Sequence, residues 1–259
     1  GREFSAAANL ASRNVKVEGR LFLPPNLAQV RAVVVAIRWG SGSLLFDDSE
    51  WRSTAEQLGA ALVRADFSTI TTPTNYNPPG ATEALPILLQ RLAAEVGHPE
   101  LAEAPLLIWG HSAAGVLVTN LVAAPASRVV ALIGYHSGSA GGAYLNVLRS
   151  IPALLLAGGK DVAVRPEVVE SVWTRGRAAG APWTFSVDAG ADHASEDAFK
   201  RANRLMIPWL RAGVGLRLPA SDGVLRPLAI GVAGGPTNDA GNTERGVQRQ
   251  PTRCCLAAR

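Results

Sequence analysis

The sequence predicts an α/β protein built on a mostly parallel central sheet flanked by helices on both faces. Three observations predict it. Short apolar runs recur at 32–37, 106–110, 129–135 and 151–157, separated by segments with helical periodicity; that alternation buries a parallel sheet between two helical layers. The runs are continuously apolar, as strands covered on both faces require. Strict alternation of apolar and polar side chains occurs near the start, in Val15-Lys16-Val17-Glu18-Gly19-Arg20-Leu21-Phe22-Leu23, which reads as an antiparallel edge strand with one wet face.

Each element follows in order. The edge strand at 15–23 stops at Pro24-Pro25, and Ala32-Val33-Val34-Val35-Ala36-Ile37 is a β-branched buried strand. Residues 50–60 fit a helix and 61–70 a strand that ends at Thr71-Thr72-Pro73. A turn-rich loop from Asn75 to Gly80 precedes a helix at 82–96, where Leu85, Leu88, Leu89 and Leu92 recur at helical spacing. A strand and helix fill 105–124, a strand covers 129–135, and a Gly/Ser-rich connection spans 137–142. Strands at 151–157 and 183–188 alternate with helices at 166–179 and 195–211. From about Ala220 the apolar periodicity ends. Residues 1–216 are therefore expected to fold as one domain, and 217–259 to be a disordered or non-native tail. There is no internal repeat.

Composition narrows the class. With 259 residues, 47% hydrophobic and 18% charged, the chain has room for one sizeable globular domain. No apolar run approaches the roughly 20 residues of a membrane span. The net charge of +4 is concentrated at the end: residues 1–216 hold 19 Lys and Arg against 18 Asp and Glu, and the remainder six against three. The body has no basic stripe, and no nucleic-acid partner is expected. The two cysteines, Cys254 and Cys255, are adjacent and near the end, so neither a disulfide framework nor a cysteine metal site follows, and the compartment stays open. The chain opens at Gly1 without methionine or a charged-then-apolar leader; a processed form, such as an exported one, or a fragment is expected.

The stretch with the most chemistry is Leu106 to Val118. An apolar strand breaks at Gly110-His111-Ser112 and resumes as a helix of small residues. Such a corner lifts a serine clear of its own backbone at the carboxyl edge of the sheet, where ligands bind. The next residue sits in the first helical turn, whose N–H groups lack intrahelical partners. Small neighbours let strand and helix pass in contact, and Gly110 and Ala114 meet that need. The bland reading is a serine N-cap. Here the chain resembles the α/β-hydrolase family, whose pattern is Gly-x-Ser-x-Gly; Ala114 replaces the second glycine and Gly115 follows.

The resemblance, which covers roughly residues 15–211, implies a Ser, Asp, His order on loops after successive strands. The strand ending at Ala157 runs into Gly158-Gly159-Lys160-Asp161, and the strand at 183–188 into Asp188-Ala189-Gly190-Ala191-Asp192-His193. A serine hydroxyl needs a base, and the base an acid to fix its tautomer; Ser112, His193 and Asp161 are the candidates. Asp161 could instead be a turn former; Asp188 and Asp192 compete as the acid but lie close to His193 in sequence, and Asp188 is the alternative of the two. His111 is expected to pack. The resemblance also implies an oxyanion site from the backbone N–H of Ala113 and of Ser41, the latter in Arg38-Trp39-Gly40-Ser41-Gly42, where the family commonly has His-Gly. Trp39, Tyr76, Tyr144 and His136 fall at the expected active edge and are candidates to line a substrate pocket; packing under loops is the competing reading.

Only about fifteen residues separate Tyr135 from Ile151, too few for the helical cap many family members insert there, so an uncapped site is expected. The function this implies is hydrolysis of small-molecule or polymeric carboxylic esters through an acyl-enzyme, with no metal or organic cofactor. Acyl transfer, thioester or peptide hydrolysis by the same residues, and a catalytically dead binding protein, are the alternatives. Oligomeric state is left open.

Overall fold

The computed structural model describes residues 1–38, 41–71, 78–123, 126–138 and 145–218. Among these residues the strands are β1 (Arg2–Leu10), β2 (Val15–Leu23), β3 (Ala32–Ile37), β4 (Ala60–Thr69), β5 (Leu106–His111), β6 (Val129–Tyr135), β7 (Ala153–Gly158) and β8 (Trp183–Asp188). The helices are α1 (Gly42–Asp47), α2 (Ser49–Leu58), α3 (Ala81–Val96), α4 (Ala114–Ala123), α5 (Leu145–Leu148), α6 (Pro166–Ala178) and α7 (Glu196–Arg217). The strands form one sheet in the order β1-β2-β4-β3-β5-β6-β7-β8. β1, β2 and β4 pair antiparallel, and β4 through β8 pair parallel.

Alternate residues of the apolar strands feed two separate cores. Val33, Val35 and Ile37 of β3, with Leu106 and Ile108 of β5, pack against Leu85, Leu88, Leu117, Leu121 and Val172 of α3, α4 and α6. Ala32, Val34 and Ala36, with Leu107 and Trp109, face Leu45, Phe46, Trp51, Phe199, Met206 and Leu210 of α1, α2 and α7. Both faces are covered, which is why these strands show no polar alternation. Fully burying each Val, Leu, Ile, Phe or Met among them contributes on the order of 1.5–3 kcal/mol.

The structure departs from the expectations at three places. β1 reads from sequence as nothing in particular, because its centre, Ser5-Ala6-Ala7-Ala8, has weak strand propensity. It becomes a strand by pairing along its whole length with β2, from Arg2 opposite Leu23 to Leu10 opposite Val15. β2 is therefore not the sheet edge. Second, a short α1 precedes the expected helix, and Asp48 separates them by capping α2 through the N–H groups of Glu50 and Trp51. Third, α7 runs six residues beyond 211 despite Gly213 and Gly215. Burial of Val214, and of Arg217 with its guanidinium on the carbonyls of Val129 and Val130, extends it. A boundary at 216 thus falls inside the helix, and the expected tail beyond 218 lies outside the described residues.

Candidate active site

β5 ends at His111 and α4 begins at Ala114, so Ser112 turns the chain between them. Ser112 has φ of 57°, left-handed backbone that costs a non-glycine residue roughly 1–3 kcal/mol and persists only where its surroundings enforce it. The enforcement is visible. The Ser112 N–H donates to the Tyr135 carbonyl on β6 (3.1 Å), and the Gly115 N–H to the Ser112 carbonyl (3.0 Å). The close passage anticipated between strand and helix is also present: a Cβ on Gly110 would lie 2.4 Å from Val118 Cγ2 and 3.1 Å from the Ala114 carbonyl oxygen.

The side chain so presented meets two residues from distant parts of the chain. Ser112 Oγ is 2.8 Å from His193 Nε2, and His193 Nδ1 is 2.7 Å from Asp161 Oδ2. Asp161 comes from the turn after β7, and its other oxygen, Oδ1, accepts the N–H groups of Ala163 and Val164 at 2.8 Å each. Burial pushes the Asp161 carboxyl up, but those N–H groups and His193 outweigh it and hold the acid below its ordinary range. An ionised carboxylate accepts, so His193 carries its proton on Nδ1 and turns the Nε2 lone pair to Ser112. Asp188, the alternative acid, is turned elsewhere: Arg201 Nε donates to its Oδ2 and the Gly190 N–H to its Oδ1, each at 2.9 Å.

His111 does more than pack. Its Nδ1 accepts the Ser41 N–H at 2.9 Å, with the Ser41 hydroxyl 3.1 Å away. This corrects the expectation for Ser41: an N–H already committed to an imidazole is not aimed at the open site. Ser41 instead ties the loop after β3 to the strand that carries Ser112. Ala113 lies between Ser112 and Ala114, the first residue of α4.

No family model and no curated protein sequence matches the chain. Its backbone is nevertheless similar to that of a ferulic acid esterase, with a TM-score of 0.57 at 12% identity over 82% of this chain and 98% of that one. It is similar to a fungal esterase from Rhizomucor miehei (TM-score 0.58, 15% identity, 83% of each chain). An α/β serine hydrolase homologue from Coxiella burnetii aligns with a TM-score of 0.56 at 15% identity, over 80% of this chain and 97% of that one. The chain has the α/β-hydrolase fold. In that fold Ser112 occupies the strand-to-helix corner at the carboxyl ends of the parallel strands.

The remaining candidates separate. Trp39, Tyr76 and Tyr144 lie outside the described residues. His136 is 1% exposed and faces the loop of His193, with Nδ1 3.1 Å from the His193 carbonyl oxygen; it also lines a cavity of about 170 Å³ together with Tyr135, Asp188 and Arg201. Among the described residues, nitrogens of His111, His136 and His193 converge to within 4.8 Å of one another. Most of this convergence is explained by hydrogen bonds to Ser41, to the His193 carbonyl, and to Ser112 and Asp161. His111 Nε2, which carries the proton because Nδ1 accepts, is buried without a hydrogen bond.

Burial, with His193 and His136 nearby, lowers the His111 pKa from 6.5 to about 3. The unfolded chain takes up a proton near 6.5 that the folded chain refuses until about pH 3. The corresponding stability is fully present above pH 6.5 and falls as pH drops through that window, by up to about 1.4 kcal/mol per pH unit. His111→Asn keeps an acceptor for the Ser41 N–H and does not titrate. Urea denaturation at pH 7 and pH 4.5 is expected to show a larger loss of stability in the wild type than in this variant; equal losses would remove His111 as the source.

Proposed function

We propose that this chain is a serine hydrolase that cleaves carboxylic esters through an acyl-enzyme, with Ser112 as nucleophile, His193 as general base and acid, and Asp161 as the orienting carboxylate. The observation that carries the reading is the unbroken line from Ser112 Oγ through both nitrogens of His193 to Asp161 Oδ2, with neither step longer than 2.8 Å, starting from a serine in left-handed backbone. Ester substrates are supported by the esterases among proteins of similar backbone.

The steps follow from these atoms. His193 Nε2 takes the Ser112 proton as Oγ attacks the ester carbonyl, and the imidazolium is stabilised by the Asp161 charge. Negative charge then develops on the carbonyl oxygen. The Ala113 N–H, at the head of α4, is assigned to meet it; one such donor contributes typically ~3–4 kcal/mol to the barrier. His193 returns the proton to the leaving alcohol, and water repeats the sequence in reverse to release the acid. Ser41 is assigned to holding its loop through His111. The substrate is a small-molecule or polymeric ester; the chemistry requires no cofactor.

Treatment with a fluorophosphonate probe tests the reading, because an unactivated serine does not react. Mass spectrometry is expected to locate one adduct on Ser112, with parallel loss of p-nitrophenyl ester turnover. A chain that neither reacts nor turns over esters of any acyl length is not a serine hydrolase. Competing water and alcohol acceptors in the same assay separate hydrolysis from acyl transfer.

A further inference from the structure

β6 ends at Tyr135, and the next residue, His136, has φ of 48°, left-handed like Ser112. Its backbone N–H donates to the Leu156 carbonyl on β7 at 2.8 Å. Its ring stacks on Tyr135 with centroids 4.0 Å apart, and meets His111 edge-on at 5.9 Å. Gly158 leaves it room: a Cβ there would lie 2.9 Å from His136 Cε1. The side chain is thus fixed by three neighbouring strands, and the ester chemistry just described does not use it.

What this fixed ring touches is the loop that carries the base. His136 Nδ1 is 3.1 Å from the His193 carbonyl oxygen and 3.5 Å from Asp161 Oδ2, the oxygen that also accepts from His193 Nδ1. A carbonyl only accepts, so His136 carries its proton on Nδ1. Burial, which lowers its pKa, agrees with a neutral ring. Next to His193, Asp192 Oδ1 accepts the N–H groups of Ala194 and Ser195, which are local ties. The next tie back towards β7 is two residues earlier, from the Lys160 N–H to the Ala191 carbonyl.

We propose that His136 is a positioning residue of this site: its Nδ1–H anchors the backbone of His193 to the sheet and braces Asp161 Oδ2, setting the base at hydrogen-bond distance from Ser112. The role rests on the reading of Ser112, His193 and Asp161 as catalytic. Its physical basis is that the His193 ring is part-exposed, 26% by side chain, and hangs from a loop. A displacement of about 1 Å at such a group can cost about a hundredfold in rate.

Three variants test it. The amide nitrogen of Asn overlies His Nδ1, whereas that of Gln overlies Nε2. His136→Leu is expected to lower kcat about ten- to a hundredfold, with KM within about twofold. His136→Asn is expected to restore most of that loss and His136→Gln little of it. A low-field proton resonance from His193 Nδ1–H, absent in His193→Gln, gives a readout independent of turnover: it should persist in the Asn variant and vanish or broaden in the Leu variant. Should the Leu variant not fold, the Asn and Gln comparison carries the decision alone. Unchanged kcat and resonance in His136→Leu, or equal losses with Asn and Gln, would overturn the proposal. If the wild type neither turns over esters nor reacts with fluorophosphonate, the catalytic reading falls, and the resonance still decides whether His136 holds His193.

Discussion

Replacing Ser112 with alanine is expected to cut ester turnover by at least about 10⁴-fold, leaving only what the assigned oxyanion donor and binding provide. In the proposed reading the hydroxyl 2.8 Å from His193 Nε2 is the group that forms the acyl intermediate. The fold should survive. Alanine pays the same left-handed backbone penalty as serine at φ of 57°, so stability should change by less than about 1 kcal/mol, whereas Ser112→Gly should gain roughly 1 kcal/mol over Ser112→Ala by relieving it. Steady-state kinetics on p-nitrophenyl esters, with thermal melts of all three proteins, measure both effects. An alanine variant with undiminished turnover would remove Ser112 from the chemistry.

Asp161→Asn should be nearly as damaging, for a reason specific to how this carboxylate is held. Oδ1 accepts the N–H groups of Ala163 and Val164, and an amide nitrogen cannot take its place. The asparagine oxygen is therefore held there, and its NH₂ group points to His193 Nδ1, where Oδ2 now accepts at 2.7 Å. Donor then faces donor, and the same NH₂ also approaches His136 Nδ1, 3.5 Å from Oδ2. His193 can relieve the conflict by moving its proton to Nε2, which leaves no lone pair for the Ser112 proton. Loss of kcat by about 10⁴-fold is expected, against a stability cost of only about 1.5–3 kcal/mol for one charge-assisted bond. Full activity in this variant together with an inactive Asp188→Asn would transfer the role to Asp188.

Much of this protein was legible along the chain. Continuous apolar runs marked β3, β5, β6 and β7 because a strand covered on both faces has no polar side to alternate with. The corner at Gly110-His111-Ser112 was legible because its steric demand, small residues within contact of a crossing helix, is a demand on residue type. β1 was not, since an alanine-rich segment becomes a strand only when β2 offers its edge.

Side-chain identity, read with the Ser, Asp, His order that the family resemblance implies, nominated Ser112, Asp161 and His193 and set Asp188 beside them as a rival. Only the tertiary structure turned Asp188 to Arg201 and Asp161 to His193, because the choice depends on which way two loops face after β7 and β8. It alone drew the Ser41 N–H onto His111 and set His136 under the His193 carbonyl. Those contacts join residues 70 and 57 positions apart, and sequence periodicity, which reports only on neighbours within a turn or a pleat, carries no information at that range.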